Sequence, residues 1–312
     1  MPPVEQILTP AVLRDWPLPM PDGDKSSRGR VLVIGGARTA PGAAMLAGLA
    51  ALRVGAGVLT LAVAESVAGP VAAAVPESAV LWLPETGSGS VAGSAAEAIR
   101  RALGSAAAIL IGPGLDDVDE TVELITGLVS SAAEDLPIVL DAYAIGALGQ
   151  LPRATLDALA GRLLLTPNHH ELERLLAASG NSDGSDDLDG SDQPDRSDGS
   201  DRSDGSGDPQ QLLAEHYAAV LSSDNRIVTP AGDRWLAPAG HSGLGTSGSG
   251  DVLAGALVGL LARGVQPAQA ACWATYLHAA AGDRLAARVG SLGFLARELL
   301  DQLPLVLTEL QA

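Results

Sequence analysis

The chain has 312 residues, 47% of them apolar and 3% aromatic, and a formal net charge of −18. That length holds one large domain or two ordinary ones, and a core of Ala, Gly, Leu and Val packs in close layers, as helices do on a parallel sheet. The acidic balance lacks the electrostatic footprint of a nucleic-acid binder, and the chain has no basic amphipathic helix of the membrane-surface kind.

Residues 1–29 read as a lead-in with several prolines and no sustained period. The opening MPPVEQILTP lacks the basic stretch and apolar core of a signal peptide. From residue 30 a pattern repeats: a short apolar run, a glycine-rich bend, a helical stretch. Val31–Ile34 predicts a strand ending in Gly35-Gly36, with a helix over about 42–54. The bend Gly35-Gly-Ala-Arg-Thr-Ala-Pro-Gly-Ala-Ala44 looks like the start of a dinucleotide-binding unit. The G-x-G-x-x-G spacing fails, however, and no acidic residue ends the next strand, 58–63, so a dinucleotide redox fold is rejected. The apolar stretch 40–64 is interrupted by Arg53 and dense in glycine; it reads as helix, turn and strand, not as a membrane span.

Further strands are predicted at 79–83, 108–111, 138–140 and 162–165, and helices near 91–103, 118–132 and 168–178. This alternation argues for right-handed βαβ units and a mostly parallel sheet. Gly112-Pro-Gly-Leu-Asp-Asp117 follows a buried strand, where glycines let backbone approach a ligand in the crevice above the sheet. Asp141 ends another strand; it either orients a substrate or caps the following helix. Leu165-Thr-Pro-Asn-His-His-Glu171 opens a helix with Asn168 and Glu171 on one face. An amide and a carboxylate so placed suit Mg²⁺, and equally they form a capping box. His169 and His170 are adjacent and cannot share a metal from one helix face, so neither is given a ligand role.

Residues 181–208 break the pattern with ten Asp, two Arg and recurring SDG. So few apolar groups cannot offset the entropy of ordering, and a disordered acidic insertion in a surface loop is expected. A Ca²⁺ loop is rejected because the Glu at the twelfth position is missing. A helix is predicted at 209–217, then short strands near 218–222, 226–229 and 233–237. Helices from about Gly250, over 267–287 and over 294–310 close the chain. The single cysteine, Cys272, sits in an apolar helical pattern and reads as a small buried hydrophobe.

The strongest signal is Gly245-Thr-Ser-Gly-Ser-Gly-Asp-Val-Leu-Ala-Gly255. Small residues before an apolar helix let backbone N–H groups point into one concavity, and the helix N-terminus adds positive character: an anion site. It is not a P-loop, because the spacing and its lysine are missing. Asp251 either caps the first turn or accepts a proton from a substrate hydroxyl beside a bound phosphate.

The G-x-G-D turn and the N-x-x-E helix together resemble the ribokinase-like superfamily. More narrowly, the chain is similar to stand-alone ADP-dependent NAD(P)H-hydrate dehydratases. The residues that carry the likeness are 29–66, VPE (75–77), IGPGLDD (111–117), VLDA (139–142), LTPNHHELERL (165–175), GTSGSGDVLAGALVGLLARG (245–264) and LHAAAGD (277–283). The resemblance implies a three-layer α/β/α sandwich around a mostly parallel sheet, with a single catalytic domain at 30–312. It implies dehydration of hydrated NAD(P)H (NADHX or NADPHX), with ADP or ATP as co-substrate and Mg²⁺ as cofactor. Asp251 would be the catalytic base, and Ala43, Gly114, Asn168 and Asp251 would line the substrate pocket. Glu171 would hold the metal. The nucleotide would lie along Ser222, Ser223, Asp224, Asn225 and Arg226 and against Gly248, Ser249 and Gly250. Family members carry Lys-Gly where this chain has Ser222-Ser223, and many have His where Asn168 stands; Arg226 is the candidate to replace the lysine. A cytoplasmic homotetramer served by a separate epimerase, with no nucleic acid or membrane partner, completes the expectation. A sugar or hydroxymethyl kinase would keep Asp251, Mg²⁺ and nucleotide, but segment 29–63 argues against it. A non-catalytic nucleotide sensor would fit the missing lysine, but the intact glycine loop with Asp251 argues against it.

Overall fold

The computed structural model describes residues 5–20, 23–180 and 208–312. Its strands are β1 (Gln6–Ile7), β2 (Arg30–Ile34), β3 (Val58–Ala64), β4 (Ser78–Leu83), β5 (Ala108–Ile111), β6 (Ile138–Leu140), β7 (Leu163–Leu165), β8 (Ala219–Ser223), β9 (Arg226–Val228) and β10 (Arg234–Leu236). They form one sheet in the order β1-β10-β9-β8-β7-β6-β5-β2-β3-β4. β9 runs antiparallel to β8 and β10; the other pairings are parallel. The helices are α1 (Pro10–Asp15), α2 (Pro41–Arg53), α3 (Glu65–Ala74), α4 (Ala96–Leu103), α5 (Val118–Val129), α6 (Tyr143–Ala147), α7 (Arg153–Leu159) and α8 (His169–Ala178). After 181–207 come α9 (Pro209–His216), α10 (Ser249–Ala262), α11 (Pro267–Val289) and α12 (Ala296–Gln311).

Strand residues alternate between two apolar layers. Val31 and Val33 of β2 face the layer that holds α2, α10, α11 and α12. Leu32 and Ile34 face the layer of α4, α5, α6 and α8. Both faces are covered, which is why these strands read as continuous apolar runs. The expected α/β/α sandwich is the observed architecture. The chain adds β3 and β4 on one side of β2 and then places β5 on the other. Ligands of open α/β sheets bind at such a reversal, in the crevice beyond the strands' carboxyl ends. Here the reversal brings the bends after β2 and β5 together.

The described part of the lead-in packs into the body. β1 pairs with β10, and Leu8 and Leu13 are fully buried. Trp16 stacks on Trp235 with ring centroids 5.9 Å apart, and its carbonyl accepts from Gln269 Nε2 at 2.8 Å and Trp273 Nε1 at 3.0 Å. A two-residue strand and a six-residue helix are too short to show a period. The expected disordered insertion falls on residues that lie, except for Asp208, outside those described. Asp208 belongs to the body: its carboxylate accepts from the Gln210 amide and pairs with Arg226 at 2.8 Å and Arg234 at 2.9 Å. Short α6 and α7, and α3 with its internal Pro70, were not anticipated either.

Arg226 also pairs with Glu5, so one half-buried guanidinium joins the lead-in, β9 and the start of α9. Removing it leaves carboxylates short of a cation in a partly desolvated place. Arg226→Gln is expected to cost about 1–2 kcal/mol and to lower Tm by several degrees in calorimetry. An unchanged Tm would class these pairs with ordinary surface ion pairs.

Candidate active site

α10 starts at the carboxyl end of the sheet because Gly248 turns the chain with φ +88°, a region that side chains rarely adopt. A Cβ there would stand 2.6 Å from Leu46 of α2, so the first turns of α2 and α10 lie against each other. Ser249 N–H donates to the Thr246 carbonyl and Val252 N–H to the Gly248 carbonyl. Among the described residues the N–H groups of Gly250 and Asp251 have no acceptor. A Cβ on Gly250 would meet nothing within 4 Å, so this turn presents bare backbone to the crevice. Free amides at a helix N-terminus are an anion site.

Asp251 lies in that first turn, and burial pushes its carboxyl up to about 6. Asp141 ends β6 and is buried; its Oδ1 accepts from Thr166 Oγ1 at 2.8 Å. No side-chain bond caps α6, which decides against the capping alternative for Asp141. Its carboxyl is pushed up to about 7, first by burial and then by the charges of Asp251 and Glu171. Carboxylates from α10 on one layer and α8 on the other thus lie within electrostatic reach of Asp141.

Asn168 and Glu171 do form the capping box. Glu171 N–H donates to Asn168 Oδ1 at 3.0 Å, and Asn168 N–H donates to Glu171 Oε2 at 3.0 Å. Burial raises the Glu171 carboxyl above its usual range. Its second oxygen is not used in the box, and Mg²⁺ requires only one or two protein carboxylates beside water and phosphate oxygens. Capping and metal binding are thus compatible. Among the described residues no group of three or more His, Cys, Asp or Glu is arranged to cage a metal.

The bends after β2 and β5 interlock. Gly36 N–H donates to the Pro113 carbonyl and Ala37 N–H to the Gly114 carbonyl, both at 2.8 Å. A Cβ on Gly114 would clash with the Ala40 carbonyl at 2.2 Å and would lie 3.2 Å from the Ala43 side chain. Ala43 and Gly114 therefore face each other where the two bends meet.

The predicted nucleotide strand is less simple. β8 and β9 form a hairpin whose turn residues, Asp224 (φ +51°) and Asn225 (φ +62°), give it a type I′ turn. The Ser222 hydroxyl is buried and shares a 2.8 Å hydrogen bond with Thr275 of α11, so it does not face the crevice. Arg226 is neutralised by Glu5 and Asp208, which corrects the expectation that it replaces the lysine. The hairpin tip meets α8 through Asp224, 3.7 Å from His169.

Two further residues belong beside the site. The signal for Asp141 in the sequence is an acidic residue at a strand end. His278 of α11 is buried, and its Nε2 bonds Ser249 Oγ at 2.9 Å. Burial pulls this imidazole down to about 4, so a neutral ring braces the anion turn from behind. Nothing in the pattern around LHAAAGD separates it from a core position.

A mostly parallel sheet covered by helices on both faces is the fold this chain shares with ribokinase-like proteins. A ribokinase-like superfamily protein of Enterococcus faecalis superposes with a TM-score of 0.75, covering 99% of this chain and 97% of that one at 22% identity. The chain belongs to the NAD(P)H-hydrate dehydratase family, which it matches over residues 31–305. It is 40% identical to the ADP-dependent (S)-NAD(P)H-hydrate dehydratase of Xanthomonas campestris, over 97% of this chain and 96% of that one. The ADP/ATP-dependent NAD(P)H-hydrate dehydratase of Bacillus subtilis, co-crystallised with ATP/Mg²⁺, superposes with a TM-score of 0.71 at 24% identity, covering 98% of this chain and 99% of that one.

Proposed function

We propose that this chain dehydrates NADHX and NADPHX back to NAD(P)H with consumption of ADP or ATP. The observation that carries the reading is Asp251: a half-buried carboxylate in the same helical turn as the α10 N–H groups that find no acceptor. A hydroxide leaves poorly and a phosphate leaves well. In this reading Asp251 takes the proton of the ring hydroxyl as its oxygen attacks the terminal phosphorus of the nucleotide. The nucleotide leaves one phosphate shorter, and the phosphorylated ring then loses phosphate and a proton to restore the double bond. The free amides of Gly250 and Asp251, where the Gly248–Gly250 turn enters α10, hold the negative charge of the transferring group. Glu171 would hold Mg²⁺, which neutralises nucleotide phosphates when bound. Asn168, at the end of β7, contributes to the substrate wall. The nucleotide would lie past the hairpin tip at Asp224 and Asn225, held by the α10 amides rather than by a lysine.

The same reading places the enzyme in the cytoplasm as a homotetramer, downstream of a separate epimerase. No helix among the described residues is long and apolar enough to cross a membrane. The test is incubation with NADHX, Mg²⁺ and either nucleotide. Recovery of NADH absorbance with one phosphate released per turnover is expected. Nucleotide consumption with a phosphorylated product and no NADH would identify a kinase instead.

A further inference from the structure

A cleft between α6 and α8 shares Glu171 with the site above but otherwise extends beyond it. Its volume is about 400 Å³, within the range of small-ligand sites. It begins at Ala142 and Glu171, next to Asp141, and runs along α8 to Ala178. Ala142 has φ +50° and ψ −125°, a strained conformation for a residue with a side chain, where β6 gives way to α6. Ile145 and Leu175 supply apolar wall. Gly146 leaves the cleft open, since a Cβ there would meet nothing within 4 Å. Tyr143 lines it while 44% exposed, and Arg174 is the one cation among the described residues that line it.

We propose that this cleft seats the adenosine-phosphate half of the dinucleotide substrate. The inference rests on the dehydratase reading and extends it. A dinucleotide is too long to lie wholly at Asp251, so its second half must leave the crevice through a connected space. The cleft starts at Glu171, whose charge reaches Asp141, and at Ala142, the residue after Asp141. An accessible tyrosine ring offers a stacking face to a purine. Arg174 offers a charge-assisted contact to phosphate in a chain whose net charge of −18 otherwise repels anions. An apolar peptide would use the walls but leave the arginine without a partner.

The probe is NADPH, followed by its fluorescence on titration into wild type, Gly146→Leu, Tyr143→Ala and Arg174→Gln, with ADP titrated calorimetrically in parallel. Gly146→Leu fills the cleft at a position where the fold has room, and leucine favours a helix over glycine. Each variant is expected to weaken NADPH about tenfold or more, the loss of a charged contact in the arginine case, while ADP affinity stays at the wild-type value. NADPH affinity within error of wild type in all three variants overturns the assignment, as does absence of NADPH binding by wild type. A change in sedimentation with Gly146→Leu overturns it too, and assigns the cleft to a second copy of the chain. NADPH binding is read without turnover, so a failure of the dehydration reading appears separately, as absent NADH recovery by wild type.

Discussion

Asp251→Asn removes turnover while ADP binding survives. The amide keeps the size of the carboxylate but cannot accept a proton, and loss of a general base lowers rates by ~10²–10⁴. The free N–H groups of the α10 turn are untouched, so ADP affinity stays or rises as a negative charge leaves the site. Wild-type kcat/KM should fall as pH drops through about 6, where burial has placed the Asp251 carboxyl. Stability must move the other way. The folded pKa lies above the ordinary 3.8, so this group's contribution is complete below pH 3.8 and is lost as pH rises through about 6. Ionised Asp251 therefore costs up to about 3 kcal/mol at neutral pH, and the Asn variant should melt higher there, with the gain disappearing near pH 4. The charge of Asp251 also raises Asp141, so the variant should lower the Asp141 titration. A variant that turns over normally, or that melts lower at pH 7, would make Asp251 a structural cap.

Gly255→Val should be the most damaging substitution away from the chemistry. α10 lies against α2 with no side chain between them at this point: a Cβ on Gly255 would stand 2.1 Å from the Ala47 carbonyl oxygen, and one on Gly259 2.7 Å from Ala51 Cα. Both obstacles are backbone, so no rotamer change relieves the clash and the helices must separate. Overpacking of this kind costs roughly 3 kcal/mol or more, which lowers Tm by about 5 °C or more at this chain length. The same separation moves the first turns of α2 and α10, where Ala43 and Gly250 lie, so nucleotide affinity should fall along with Tm. Gly250→Ala is the control for stability: its Cβ has open space and the backbone is helical, so Tm should hold. A Gly255→Val protein with wild-type Tm would show that the helix contact is loose.

Local pattern was enough wherever a physical preference acts over a few residues. Continuous apolar runs marked β2, β3, β5, β6 and β7 because both sheet faces are covered. Glycines marked the bends after β2 and β5, and Asn168 with Glu171 marked the start of α8, because caps and positive φ restrict residue type locally. The placement of Asp251 in the first turn of α10 was legible for the same reason, since a glycine-rich bend before an apolar run marks a helix start. What the sequence left open was direction and partnership. Asp141 could orient a ligand or cap a helix until the fold placed it on Thr166, within electrostatic reach of carboxylates from opposite layers. Ser222 and Arg226 were matched to a ligand by position alone. The fold instead turned one to Thr275 and paired the other with Glu5 and Asp208, 221 residues away in one case. His278 looked like core, and only the packing of α11 behind α10 made it a brace for the anion turn. Side-chain partners that are distant in sequence are chosen by sheet order and layer packing, and no local period encodes those; the composition and motifs set the chemistry available, and the tertiary structure decided which groups meet.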